Sequence, residues 1–148
     1  MTFAEFLELA LYDASGGFFA EGEAGRRGDF LTSPEVGPLF GAVVARALDR
    51  WWSELGRPDP FVVVEAGAGA GTLARDVVAA AGACGPALRY VLVERSEPLR
   101  ARQAERLPLD PPAVALGPPS PDEDDGHRAV PPAARPPSEG PVLTSLAE

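Results

Sequence analysis

The run Phe61-Val62-Val63-Val64-Glu65-Ala66-Gly67-Ala68-Gly69-Ala70-Gly71-Thr72 leaves this chain few folds to choose from. An aromatic followed by three β-branched residues makes a short strand, apolar on both faces, of the kind found inside parallel sheets. Alternate glycines then end the strand at once. Gly67 allows a tight turn, and Gly69 lets the backbone approach a ligand with no Cβ in the way. Residues 72–81 read as a helix whose first N–H groups and positive dipole end point into the same space. A second strand of the same type follows at 89–94. Ser96 and Pro98 then open another helix that runs to about Leu107. Strand, helix, strand, helix at this pitch predicts an α/β chain built on βαβ units and a parallel sheet.

Upstream, Thr2 and Glu5 have the spacing of a capping box, and Phe3, Phe6, Leu7, Ala10 and Leu11 fall on one helical face. That helix should end before Gly16-Gly17, where a loop containing Gly22, Gly25 and Gly28 begins. Ser33 reads as the N-cap of a longer helix, with Pro34 in its first position and Glu35 at the positive end of its dipole. Val36, Leu39, Phe40, Val43, Val44, Ala47, Leu48, Trp51 and Leu55 continue it as one apolar stripe, ended by Gly56 and Pro58. On this spacing Trp51 belongs to the core and Trp52 points away from it.

After Leu107 the composition shifts. Eleven of the 17 prolines lie between Pro108 and Pro141, together with the acidic run Asp122-Glu123-Asp124-Asp125. Such a segment reads as a solvated, disordered loop, with a short strand around 113–116. Residues 141–146 look like the lead-in to another element. The expected organisation is a helical segment at 1–58 and the first part of a cofactor-binding core at 59–116. A proline- and acid-rich loop follows at 117–140, then the start of a further element at 141–148. A core of two parallel strands is too small to close a doubly wound sheet, so the sheet reads as truncated.

The formal net charge is −9, which argues against a nucleic-acid partner gripped through its phosphates, although an acidic surface would attract a basic protein. Cys84 is the single cysteine, and no Cys/His cluster has metal-ligand spacing, so neither an internal disulfide nor a metal is expected. No secretory signal and no apolar run near the roughly 20 residues of a membrane span are present, and the cytoplasm is the expected location. His127, in the acidic loop, and the Arg26-Arg27 pair read as solvated bystanders.

A dinucleotide fingerprint needs glycine or alanine three residues after its second glycine, where this chain has Thr72. Here the spacing is G-x-G-x-G, with Glu65 two residues before Gly67. A pyrophosphate on this loop would lie against the Glu65 charge, whereas a ligand carrying an amino group and a sulfonium tolerates it. The loop therefore favours S-adenosyl-L-methionine over NAD. Glu94 ends the second strand 23 residues after Gly71, where an acid can accept both hydroxyls of a ribose. Taken singly, the glycines could be a plain turn and Glu94 a surface acid. Strand, loop, helix and acid-tipped strand in sequence speak for the site.

Two blocks resemble a known family. One is Gly28-Asp29-Phe30-Leu31-Thr32-Ser33-Pro34-Glu35 with Leu39-Phe40-Gly41, and the other runs from Val64 to Leu73 through the glycine loop. Leu11-Tyr12-Asp13 with Gly17-Phe18-Phe19 is similar to the same family's opening segment. The pattern looks like the MidA-type methyltransferases, relatives of a mitochondrial complex I assembly factor that methylates arginine. The resemblance implies a Rossmann-like class I methyltransferase core, preceded by a helical N-terminal segment packed over it. It implies that Gly67, Gly69, Gly71 and Thr72 form the cofactor loop, that Glu94 meets the ribose, and that Glu65 faces the methionine end. Gly28, Asp29, Thr32 and Glu35 would sit near the cofactor mouth, with Asp29 and Glu35 as the candidate catalytic carboxylates for a protein arginine acceptor. The family is much longer than this chain, and its usual residue between the second and third glycines is larger than Ala70. The rival readings are a nicotinamide-dependent oxidoreductase and a non-catalytic module that binds cofactor or a partner.

Overall fold

The structure, a computed structural model, describes residues 1–13, 15–19, 32–117 and 141–147. The capping box at its start forms as the sequence predicts. The Thr2 hydroxyl accepts from the Glu5 N–H at 3.2 Å, and the Glu5 carboxylate accepts from the Thr2 N–H at 2.6 Å. This opens α1 (Phe3–Tyr12), none of whose residues is buried. Its apolar face exists but lies open among the described residues, with Phe3 and Phe6 exposed.

The long helix expected from Ser33 divides in two, α2 (Ser33–Val36) and α3 (Pro38–Glu54), and the N-cap is Thr32 rather than Ser33. Pro38 is the reason. It has no N–H to donate, and its ring pushes the preceding residue out of the helical region. Gly37 accordingly takes an extended conformation.

The buried face of α3 also differs from the expected stripe. Gly41, Ala45 and Leu48 are buried, with Val44 and Trp52 packed alongside, while Leu39, Val43, Trp51 and Leu55 are exposed. The assignment of the two tryptophans is therefore reversed: Trp52 is half-buried and donates its indole N–H to the Pro58 carbonyl at 2.9 Å. Small residues decide this face, because α3 crosses α4 (Thr72–Ala80) with almost no gap. A Cβ on Gly41 would stand 2.9 Å from the Asp76 carbonyl carbon and 3.0 Å from the Val77 nitrogen.

Three strands make one parallel sheet in the order β1 (Phe61–Ala66), β2 (Leu88–Val93), β3 (Val142–Leu146). Phe61 pairs with Leu88 and Ala66 with Val93, while Arg89 pairs with Val142 and Val93 with Leu146. The described core thus has one more strand than the two expected, because 142–146 pairs along β2. α4 joins β1 to β2, and α5 (Glu97–Arg106) follows β2. The strand expected at 113–116 is instead a short helix, α6 (Pro112–Leu116). Proline fixes φ near −65°, which suits a first helical turn, and the Pro111-Pro112 pair starts one here. Leu109, a few residues earlier, makes the bridge to Leu143.

Phe61, Leu88, Tyr90, Leu92 and Leu143 pack with Ala45, Leu48, Ala74, Val77 and Leu107 in one hydrophobic cluster. Val62 and Val64, on the opposite face of β1, are exposed, so this strand is not covered on both faces by the described residues. The in-register pairing of β1 with β2 has one functional consequence. Both strands end at the same level, so the glycine loop and Glu94 emerge together at their carboxyl ends, where open α/β sheets bind ligands.

Candidate functional site

Gly67, Gly69 and Gly71 all have left-handed backbones, with φ of 69°, 56° and 78°. At Gly67 and Gly69 a Cβ would meet nothing within 4 Å, so the side of the loop they present is open space. At Gly71 it would run into Leu107 Cδ1 at 2.6 Å. The first two glycines therefore shape a cradle, and the third lets the loop seat on the core. The Gly67 and Ala68 N–H groups donate to the Val93 carbonyl at 2.9 and 3.1 Å, which ties the loop to the end of β2.

Glu94 is buried, and its carboxylate accepts from the Gly69 N–H and the Ser96 N–H, each at 2.8 Å. It is thus locked into the loop rather than extended into solvent. The Glu94 N–H donates to the Leu146 carbonyl at 3.1 Å, which places β3 behind it. Glu65 lines the same cavity, and Tyr90 donates its hydroxyl to Glu65 Oε2 at 2.9 Å. Burial pushes the Glu65 carboxyl above its ordinary pKa, and the Tyr90 hydrogen bond offsets part of that rise. The Tyr90 phenol is raised in turn, by burial first and then by the Glu65 charge.

Glu35, on α2, accepts a hydrogen bond from the Thr72 hydroxyl at 2.8 Å, across 37 positions of sequence. The structure brings Glu35, Glu65, Gly67, Gly69, Thr72 and Glu94 around one cavity of about 510 Å³, within the usual range for a small-ligand site. Gly71 lies behind its wall. Asp29, Gly28, Arg26, Arg27, His127 and the acidic run lie outside the described residues. Among the described residues there is no cluster of metal-ligating side chains, and no helix is long and apolar enough to cross a membrane.

Several residues of the site are not marked by the glycine and acid pattern. Tyr12 and Phe19 line the cavity and stack on each other with ring centroids 5.6 Å apart. The Arg95 guanidinium lies 4.3 Å from the Tyr12 ring centroid and grips the Glu8 carboxylate, Nη1 to Oε2 at 2.8 Å. Ser96 donates its hydroxyl to the Phe19 carbonyl at 2.8 Å, so the N-terminal segment is fastened to the tip of β2. The opening segment around Tyr12 and Phe19 carries the signal for these contacts. Gln103 is fully buried against the loop. Its signal is a polar residue on the apolar line Leu99, Gln103, Leu107, which runs along α5 to its C-cap.

Chemically the cavity combines a buried acid at Glu94 and an open glycine cradle with further carboxylates at Glu65 and Glu35. A vicinal diol suits the first, and a cationic group suits the second. A pyrophosphate would have to lie beside Glu65, where the site offers negative charge.

The chain is similar to known proteins over most of this region. A family model for S-adenosyl-L-methionine-dependent methyltransferases matches residues 43–128. A Drosophila melanogaster homologue of the mitochondrial protein arginine methyltransferase NDUFAF7 is 43% identical over 76 residues, covering 51% of this chain and 17% of the relative. Mouse NDUFAF7, also named a mitochondrial protein arginine methyltransferase, is 32% identical over 127 residues, 78% of this chain and 29% of the relative. Among solved structures, a Burkholderia thailandensis protein bound to S-adenosyl-homocysteine superposes with a TM-score of 0.59 at 30% identity, covering 78% of this chain and 30% of that one. The chain thus spans under a third of the length of these relatives. The expected cytoplasmic location is overturned, since the curated relatives are named as mitochondrial. Acidic composition and a lone cysteine never discriminated between the two compartments.

Proposed function

Because the chain belongs to the S-adenosyl-L-methionine-dependent methyltransferases, we propose that its glycine loop holds S-adenosyl-L-methionine and serves methyl transfer to a protein arginine. The observation that carries the cofactor reading is Glu94, a buried carboxylate fixed by two backbone N–H groups at the lip of an open glycine cradle. Each of its oxygens keeps acceptor capacity for a ribose hydroxyl. Gly67 and Gly69 leave room for the nucleoside to lie against the backbone, and Glu65 sets a negative charge near the methionine end. The arginine acceptor rests on the names of the relatives. The division into an N-terminal segment, 1–58, and a cofactor core, 59–116, belongs to the same proposal.

The bound cofactor would supply an already activated methyl group, so the protein's part is alignment and charge rather than covalent chemistry. Glu35 suits the task of orienting a guanidinium, since it lines the cavity and is itself held by Thr72. Asp29 is the second carboxylate proposed for that work.

Calorimetric titration of S-adenosylhomocysteine tests the reading, with NADH as the control. Binding of the first without the second is expected. NADH binding that competes for the same cavity, or a cooperatively folded protein that binds neither, would overturn it.

The raised pKa of Glu65 yields a further expected result. A carboxyl whose folded pKa lies above its unfolded value contributes stability at low pH that is lost as pH rises through the folded value. Ionised Glu65 therefore weighs against the fold near neutrality. Glu65→Gln should raise the melting temperature at pH 7–8, with the gain vanishing below about pH 4, where both states are protonated. The same substitution should weaken S-adenosyl-L-methionine binding, because the negative charge facing the cation is gone. A melting temperature lowered equally at both pH values would contradict this account.

A further inference from the structure

The glycine loop is held from behind as well as from the front. Gln103, at 0% exposure on α5, donates its amide N–H to the Gly69 carbonyl at 2.7 Å. Its own carbonyl oxygen accepts from the Ser145 hydroxyl on β3 at 2.6 Å. With the Gly69 N–H given to Glu94, both peptide groups flanking Gly69 are pinned by buried side chains. The hydrogen bonds connect in series: Ser145 donates to Gln103, Gln103 to Gly69, Gly69 to Glu94. Ser96 also donates to Glu94 and, through its hydroxyl, to Phe19 in the N-terminal segment.

We propose that Gln103 is a positioning residue for the cofactor site, one that fixes the left-handed turn at Gly69 and thereby the direction of the Glu94 carboxylate. Gly69 has no side chain to hold its conformation, and a Cβ there would meet nothing, so packing does not define its backbone. A glycine in open space samples many conformations, and only directed hydrogen bonds select one. Gln103 supplies the donor for a carbonyl that no helix or strand satisfies. The Gly69 carbonyl, which can only accept, sets the sense of the amide, because a flipped amide would turn its oxygen toward that carbonyl, and Ser145 completes the arrangement by donating to the amide oxygen. Strand β3 thus reaches the loop through Gln103.

This inference rests on the cofactor reading above, and the test separates the two. S-adenosylhomocysteine would be titrated into the wild type, Gln103→Leu and Gln103→Glu, each checked for cooperative thermal unfolding. Gln103→Leu should weaken binding about tenfold or more, because a buried carbonyl and a serine hydroxyl lose their partner. Gln103→Glu guards against a variant that fails to fold, since it keeps the shape. Protonated, the introduced carboxyl still donates to Gly69; ionised, it repels the carbonyl. Its affinity relative to wild type should therefore fall between about pH 5.5 and 9 while thermal unfolding at each pH shows the variant still folded; a fall that only follows loss of the folded state would mark a packing role and overturn the proposal. If the wild type binds and both variants bind equally well at every pH, the positioning role is wrong while the cofactor reading stands. If the folded wild type does not bind, both fall.

Discussion

Replacement of Glu94 by alanine is expected to weaken S-adenosylhomocysteine binding by about a hundredfold or more. The carboxylate is buried and accepts from the Gly69 and Ser96 N–H groups, each at 2.8 Å. Removing it strands two backbone donors inside the protein and removes the proposed ribose acceptor. Hydrogen bonds to charged groups are worth about 1.5–3 kcal/mol each, so the loss of even one in the bound state reaches tenfold, and several multiply. The loop should also loosen, which would lower the melting temperature by several degrees. Glu94→Gln makes a useful second variant. It keeps the shape and one acceptor but turns an NH2 toward a backbone N–H, so its affinity should fall between wild type and alanine. Calorimetry decides the matter: an alanine variant that unfolds cooperatively and binds like wild type would remove Glu94 from the site.

The second large effect concerns the fold itself. Gly41→Ala should destabilise the protein by about 3 kcal/mol, a substantial share of the 5–15 kcal/mol typical of a domain. The reason lies in the crossing of α3 and α4, where the new methyl would meet the Asp76 Cβ and the backbone at Asp76 and Val77. Backbone cannot step aside as a flexible side chain does, so the two helices must separate and open the cluster that contains Ala45, Leu48, Ala74 and Val77. Gly37→Ala is the matched control, since a Cβ at Gly37 meets nothing within 4 Å. Its effect should stay within about 0.5 kcal/mol. Chemical denaturation of both variants checks the pair, and equal midpoints would show that the crossing is less tight than described.

These two residues mark how differently parts of the molecule were legible. Glu94 stands out in the sequence because its neighbours announce it: a β-branched strand, a glycine loop with spacing of two, then an acid at the tip of the next strand. Gly41 does not. Along α3 the apolar residues suggest a stripe from Leu39 to Leu55, of which Val44 and Leu48 do pack inward, yet Leu39, Val43, Trp51 and Leu55 stay exposed and the buried face runs through Gly41, Ala45 and Leu48. Periodicity weighted by size misplaces the centre of the buried face when helices cross closely, because close crossing selects small residues. Pro38 was equally ambiguous, since proline both breaks a helix and begins one. Here it does both, ending the turn at Ser33–Val36 and opening the next helix.

What the sequence determined by itself is local backbone behaviour. Glycines 67, 69 and 71 permit positive φ, Thr2 and Glu5 close a capping box, and β-branched runs extend into strands, all through sterics and hydrogen bonds acting over a few residues. What only the tertiary structure decided is which distant polar groups meet. The Glu35–Thr72, Tyr90–Glu65 and Gln103–Gly69 hydrogen bonds join residues 25 to 37 positions apart. No local preference encodes such a pair. Each depends on the register of β1 against β2 and on how the helices seat on the sheet, and those are set by the packing of the whole core.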